Sequence, residues 1–305
     1  MSILDPIPVD PGVRIIRRCA YVDTIGVYIS RHLRKHEREI LEGLCGKVTS
    51  SSADAYFKLD SEWKRYFARV TIHQPGKEAP RYLEDLFPNK PPQVNRIDFS
   101  LDWTTESDSD ANEAQRYLAA TLIKRWHREK HKILAYQEDD DESLYIGATS
   151  RTSRFALYSD LPSKISGGPC CHLELRLFSR KAVKGAGVNT LGDIVNFDHR
   201  KLWKEKLQLR QLDKIRYGKR MSGRHFNTPS QHWDWCGKRH NKDLMVANRL
   251  IRGIALLSNP PQDPKDLSLM AILSASKARL GDVSGILRKI DATTLLPVCP
   301  RRLTR

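Results

Sequence analysis

The residues best placed to do chemistry lie in two short stretches. In Val94–Trp103, VNRIDFSLDW, the residue types alternate: Asn95, Ile97, Phe99, Leu101 and Trp103 fall on one side, and Arg96, Asp98, Ser100 and Asp102 on the other. His172–Leu177, HLELRL, repeats the design, with Leu173, Leu175 and Leu177 opposed to His172, Glu174 and Arg176. Side chains of a β-strand point alternately to opposite faces, so both stretches read as strands with one apolar and one charged face. In a common sheet they give an apolar face packed on helices and an open face carrying Asp98, Asp102, Glu174 and two arginines.

Carboxylates converging on such a face suit a hard divalent cation. Mg²⁺ or Mn²⁺ takes oxygen ligands, usually one or two protein carboxylates completed by water and phosphate oxygens. Asp98 or Asp102 with Glu174 would supply that shell, and Arg96, Arg154 and Arg176 would hold a phosphate charge beside it. The opposing reading is a solvated face of cross-strand ion pairs. Tyr158 shares a strand face with Arg154, four residues earlier. A tyrosine hydroxyl near a metal-held phosphate can attack it and form a covalent phosphotyrosine.

The composition narrows the partners. The chain has 52 basic and 36 acidic residues, a net charge of +16 and a pI near 9.7. That sign favours polyanions such as nucleic acid, although an acidic membrane surface, ribosomal association or solubility alone would give the same balance. No apolar run approaches a membrane span, and the start MSILDPIPVDPG lacks the basic and apolar regions of a secretory signal. The six cysteines form no CxxC pair, and adjacent Cys170 and Cys171 suit neither a zinc site nor a disulfide framework. Reduced thiols in a cytoplasmic protein is the expectation.

The elements that must position these residues follow in order. Strands are expected over Ala20–Ser30 and Arg65–His73, with a basic helix over Arg31–Leu44 between them and a helical turn over Arg81–Phe87 before the central strand. A helix over 111–132 is expected next, with Asp110 as N-cap and Glu113 in the capping-box position. His127 and His131 lie at i, i+4 in its basic end, without an HExxH pattern. Glu138–Glu142 reads as an acidic loop, Ser143–Tyr158 as two strands turning near Ser150–Thr152, and Pro162–Pro169 as the loop before HLELRL.

The character then changes. Residues 200–224 hold ten basic and two acidic residues, half the net charge of the chain. We expect a helix there whose Lys201, Lys204, Lys206, Arg210, Lys214, Arg216, Lys219 and Arg220 meet a phosphate backbone, a solvated linker helix being the alternative. Residues 225–242, with Trp233, Trp235, Cys236 and His240, are loop-like and lack ligand spacing for zinc. Three helices are expected over Asp243–Ser258, Asp266–Ser276 and Asp282–Ile290. The fold class is therefore α+β, a mainly antiparallel sheet with helices on one face, followed by a small helical C-terminal region. The expected division is a catalytic domain over 1–180, a basic connection over 181–242 and a helical, DNA-binding domain over 243–305.

VNRIDFSLDW, SLYIGATSRTSRFALYSD and CHLELRL, in that order and spacing, resemble the rolling-circle replication initiation factor family, which includes plasmid initiators of the staphylococcal type and relaxases of conjugative elements. The resemblance covers roughly residues 20–180. It implies a core similar to the HUH nucleases and a site-specific endonuclease that nicks one DNA strand and keeps the 5′ phosphate on tyrosine. By position, the nucleophile falls on Tyr158 with Arg154 beside it, and the metal-binding acids on Asp98 or Asp102 and on Glu174; Asp23 is a weaker match. The usual Tyr-Asp-Lys reads Tyr158-Ser159-Asp160, and His172 replaces an arginine and is itself a candidate metal ligand. The implied cofactor is Mg²⁺ or Mn²⁺. The implied partner is origin DNA, with a host helicase and a homodimer compatible and no membrane role. A hydrolytic metal-dependent nuclease and a non-catalytic DNA-binding protein remain as alternatives.

Overall fold

The alternation in the central stretch does produce a strand, and the rest of the architecture is arranged around it. The computed structural model of the chain describes residues 13–52, 66–124, 133–138, 141–212 and 287–298. An eight-stranded sheet runs in the order β2 (Lys47–Ser52), β3 (Ala68–His73), β1 (Arg17–Ile29), β4 (Gln93–Thr104), β9 (Cys170–Leu177), β8 (Ser153–Tyr158), β7 (Asp141–Ile146) and β6 (Ile133–Glu138). The neighbouring pairs are antiparallel throughout. The α+β class with a mainly antiparallel sheet is thus the observed one.

The apolar face of the sheet is buried under helices. Ile97, Phe99, Leu101 and Trp103 of β4 and Leu173, Leu175 and Leu177 of β9 join one hydrophobic core. The core also takes Ala114, Tyr117 and Leu118 of α3 (Asp108–Thr121), Val183 of α4 (Arg180–Gly185), and Leu202 and Trp203 of α6 (His199–Lys206). α1 (Lys35–Gly43), α2 (Glu78–Asp85) and α5 (Gly192–Val195) contribute Leu41, Leu83 and Ile194 to the same core. Phe197 stacks on Phe99 with centroids 4.6 Å apart, which lays the approach to α6 against the centre of the sheet.

Two bulges adjust the strict alternation. Against β4, the β1 partners step from Val22–Phe99 to Thr24–Asp98 and from Gly26–Arg96 to Val27–Val94, so Asp23 and Asn95 are the extra residues. The second bulge brings Val94 into the core, although simple alternation from Arg96 would put it on the charged side. Gly26 permits the close approach: a Cβ there would lie 2.9 Å from that of Arg96.

Several expectations need correction. α3 begins at Ser107, whose hydroxyl accepts from the Asp110 amide at 3.1 Å, so the N-cap is three residues before the expected Asp110. α3 ends at Thr121, because Leu122–Ile123 form a short strand, β5, paired to β10 (Gln208–Leu212). His127 and His131 lie outside the described residues. Of the acidic stretch expected as a loop, Glu138, Asp141 and Glu142 belong to strands β6 and β7, where Glu138 pairs with Asp141. The helix expected over 200–224 stops at Lys206 and gives way to β10. Leu287–Ile290, expected at the end of a helix, form strand β11 on β10. Beyond it, the Leu295 carbonyl accepts from Trp103 Nε1 at 3.1 Å, and Leu295 and Leu296 enter the core. The expected helices over 243–258 and 266–276 lie outside the described residues.

Candidate functional site

Sheet register brings the singled-out charged residues together. Across β4, β9 and β8, Asp102 faces His172 and His172 faces Tyr158; one step along, Ser100 faces Glu174, and the next row is Asp98, Arg176 and Arg154. Arg96 follows Asp98 on β4. Arg96, Asp98, Asp102, Arg154, Tyr158, His172, Glu174 and Arg176 therefore share one face, although they come from segments far apart in sequence.

That face is covered, in contrast to the open one expected. Asp98 is 2% exposed, Asp102 0%, His172 1%, Glu174 3% and Tyr158 7%. Asp98 and Glu174 are partnered by Arg96 and Arg176, while over Asp102 and His172 the cover is the loop 159–169. Its Ser163 hydroxyl donates to Asp102 Oδ2 at 2.9 Å, its Leu161 carbonyl accepts from His172 Nε2 at 2.8 Å, and Lys164 pairs with Asp23 at 2.6 Å. Buried polar groups need such partners, because leaving one unpaired costs about 1–3 kcal/mol. The proline- and glycine-containing loop thus supplies hydrogen bonds that solvent would otherwise provide.

The acids have distinct partners. Asp98 Oδ2 is held by Arg96 at 2.5 Å, and Glu174 Oε2 by Arg176 at 2.6 Å, each arginine being the residue two positions away on the same strand. Burial raises the Asp98 pKa despite the opposing arginine. Glu174 Oε1 accepts from the Tyr158 hydroxyl at 2.6 Å. Burial, then the charge and hydrogen bond of Glu174, push the tyrosine pKa strongly upward. The Tyr158 ring stacks on the His172 imidazole, with centroids 4.7 Å apart.

His172 Nδ1 lies 2.8 Å from Asp102 Oδ1. Burial lowers the His172 pKa, but the hydrogen bond and charge of Asp102, with help from the Leu161 carbonyl and Glu174, turn the net shift upward. The Tyr21 hydroxyl, on β1, sits 3.3 Å from both Asp102 oxygens.

Arg154 differs from the other two arginines of the face. Among the described residues it has no carboxylate partner, and its buried Nε has no hydrogen-bond acceptor. Its guanidinium lies over the rings of Phe178 at 4.7 Å and Tyr145 at 5.6 Å. Burial, and then the charge of Arg176, lower its pKa.

Ligand atoms for a metal ion converge at Asp102, Cys170 and His172, which lie within 4.8 Å of one another. The triad is compatible with a metal ion. Asp98 and Glu174, expected as ligands beside them, are instead occupied by their arginines. Tyr21, Ser163 and Cys170 were not among the expected site residues. Cys170 had a readable signal, since it stands two residues before His172 and so shares its face. Tyr21 and Ser163 had none beyond their contacts in the fold.

The expected DNA-contacting lysines are elsewhere. Lys201 and Lys204 are exposed on α6, which packs on the apolar face, and Lys206 pairs with Glu205 at 2.5 Å. Arg210 lies on β10 opposite Lys289. These four therefore belong to the side of the sheet opposite the acids. Lys214, Arg216, Lys219 and Arg220 lie outside the described residues. Among the described residues, no helix is long and apolar enough to cross a membrane.

No protein-family model matches the chain, and no curated protein matches it. Among solved structures, a rolling circle replication initiator protein from Geobacillus stearothermophilus is similar at 11% identity and a TM-score of 0.36, over 63% of this chain and 87% of that one. At that identity and score, the likeness carries no function across.

Proposed function

We propose that the protein nicks a single DNA strand through Tyr158 and holds the 5′ phosphate on that residue, as an initiator of rolling-circle replication or a relaxase does. The observation that carries this reading is the Tyr158–Glu174 pair at 2.6 Å, set on a face with three arginines. In the first step the phenol oxygen forms a bond to phosphorus, its proton passes to Glu174, and the 3′ oxygen of the broken strand leaves. Reversal of the step by a 3′ hydroxyl rejoins the strand and frees the tyrosine. Arg154, with no carboxylate among the described residues to neutralise it, is the side chain assigned to the phosphate, and Arg176 orients Glu174.

A divalent cation would supply electrophilic polarisation of the phosphate. Mg²⁺ or Mn²⁺ is the choice that carboxylates alone would select, with Asp102 and His172 as the ligands that no arginine occupies. Tyr158 is buried, so its surroundings would have to move for DNA to reach it, and the adjoining loop 159–169, with exposed Leu161 and Ile165, is the segment assigned to that movement.

A second reading, a DNA-binding protein with a silent site, draws support from the same burial: each acid of the face already has a partner. A hydrolytic nuclease using water in place of the tyrosine is the third. One experiment separates them. A supercoiled plasmid carrying the gene of this protein and its flanks is incubated with Mn²⁺, with and without EDTA, using wild type and Tyr158→Phe. Protein that stays on nicked DNA through boiling in detergent, requires metal and disappears in the variant supports strand transfer. Nicking that survives in the variant, without an adduct, supports hydrolysis. DNA binding without cleavage supports the silent site.

A further inference from the structure

We infer that Asp102, Cys170 and His172 form a site for one divalent ion of the Zn²⁺ class, bound by oxygen, sulfur and nitrogen. The inference deepens the proposed reading by naming the kind of ion on the same face, and it departs from the all-oxygen shell expected for Mg²⁺ or Mn²⁺. Thiolate ligands select zinc and other borderline or soft ions, whereas Mg²⁺ takes oxygen.

The geometry needs little adjustment. His172 Nδ1 is 2.8 Å from Asp102 Oδ1 and 3.9 Å from Cys170 Sγ. In a tetrahedral zinc site with bonds of about 2.0–2.3 Å, neighbouring ligand atoms lie roughly 3.5 Å apart. Both His172 separations are thus within about 0.7 Å of that spacing, and all three ligand atoms lie within 4.8 Å of one another. The backbone already sets this arrangement, because Asp102 and His172 are cross-strand partners and Cys170 lies two residues before His172 on the same face. All three side chains are buried, so an ion there would be shielded from water.

The surrounding hydrogen bonds are an independent sign. A metal-bound histidine usually donates its other ring N–H to a carbonyl or carboxylate, which fixes the tautomer. Here Nε2 faces the Leu161 carbonyl at 2.8 Å, so an ion that displaces the proton Nδ1 shares with Asp102 would meet Nδ1 as a free donor atom. The carboxylate is oriented in the same way: Ser163 donates to Oδ2 at 2.9 Å, which leaves Oδ1 toward the histidine. Both supports come from the loop 159–169, whereas all three ligands stand on the sheet itself. The placing of Cys170 two residues before His172 gives two of the ligands, and the third, Asp102, comes from the neighbouring strand.

The test is optical and uses no DNA, so its result is separate from the nicking assay. The purified full chain is stripped with chelator and titrated with Co²⁺. The expected result is one equivalent bound, with a near-ultraviolet thiolate-to-cobalt charge-transfer band and intense visible bands of a tetrahedral ion, all displaced by Zn²⁺ but not by excess Mg²⁺. Cys170→Ser should lose the charge-transfer band and Cys45→Ser should keep it. Ser163→Ala should weaken binding about tenfold. The wild-type spectrum decides the matter even where Cys170→Ser does not fold. Weak bands of an octahedral, oxygen-bound ion, no binding, or a charge-transfer band that persists in Cys170→Ser would each overturn the site. A protein that forms the tyrosine adduct but shows no thiolate band would lose this inference alone. One with the band and no adduct would retain the metal site and lose the nicking reading.

Discussion

The Tyr158 hydroxyl donates to one oxygen of Glu174 while Arg176 holds the other, each across 2.6 Å. The glutamate is thereby fixed between a proton donor and a permanent cation. Burial and the charge of Glu174 keep the phenol protonated at neutral pH, so in the proposed nicking step the tyrosine would act as nucleophile only as its proton moves to this carboxylate.

Replacing Glu174 by glutamine keeps the shape and removes the base. Adduct formation should fall about 10²–10⁴-fold, the usual range for loss of general-base assistance, while DNA binding changes little. Rates of adduct formation under saturating DNA, set beside a filter-binding curve, make the check. An unchanged rate would remove Glu174 from the proton path.

Replacing Tyr158 by phenylalanine should abolish the adduct at a cost of about 1 kcal/mol of stability, the ordinary loss of one hydrogen bond. Urea unfolding followed by fluorescence measures the second quantity. A much larger loss would mark the tyrosine as chiefly a structural member of the buried face.

Arg154 should show the opposite balance. Its guanidinium lies near Arg176 and, among the described residues, lacks a carboxylate, so Arg154→Met should hold or raise stability, by up to about 1 kcal/mol, and impair strand cleavage. Thermal unfolding and the nicking assay on the same preparation test this. A clearly destabilised variant would show that the cation is satisfied in the fold.

His199 predicts a pH effect away from the charged face. It is buried against Phe197 and Phe99, its Nδ1 has no partner among the described residues, and burial lowers its pKa from 6.5 to about 4. The unfolded chain therefore takes up this proton first as pH falls. Its contribution is fully present above pH 6.5 and is lost between there and about pH 4, a total of roughly 3 kcal/mol. His199→Leu should flatten that part of the stability curve, as followed by urea midpoints across the same range. An unaltered slope would assign the acid sensitivity to other groups.

The charged face was legible because period-2 alternation is a local property. Asp98, Asp102, His172, Glu174 and Arg176 could be placed on one side of their strands before any strand was paired. Burial was not legible, because it depends on the loop 159–169, whose Ser163 reaches Asp102 across 61 positions of sequence. The two bulges, at Asp23 and Asn95, likewise depend on pairing register. The stop of α6 at Lys206 was misread for a related reason. Its lysines suit a helix, but Leu207 and Leu209 join the core, and Gln208–Leu212 find strand partners in β5 and β11.

The pairing of Leu212 with Leu287 gives the chain a doorway. Leu212 ends one strand and Leu287 begins its immediate neighbour, so the two described ends stand side by side. A direct turn of a few residues between those strands would close the small sheet just as well, since adjacent antiparallel ends need only a short connection. The pairing of β10 with β11 therefore asks nothing of the connection except that it begin and end at one edge of the small sheet.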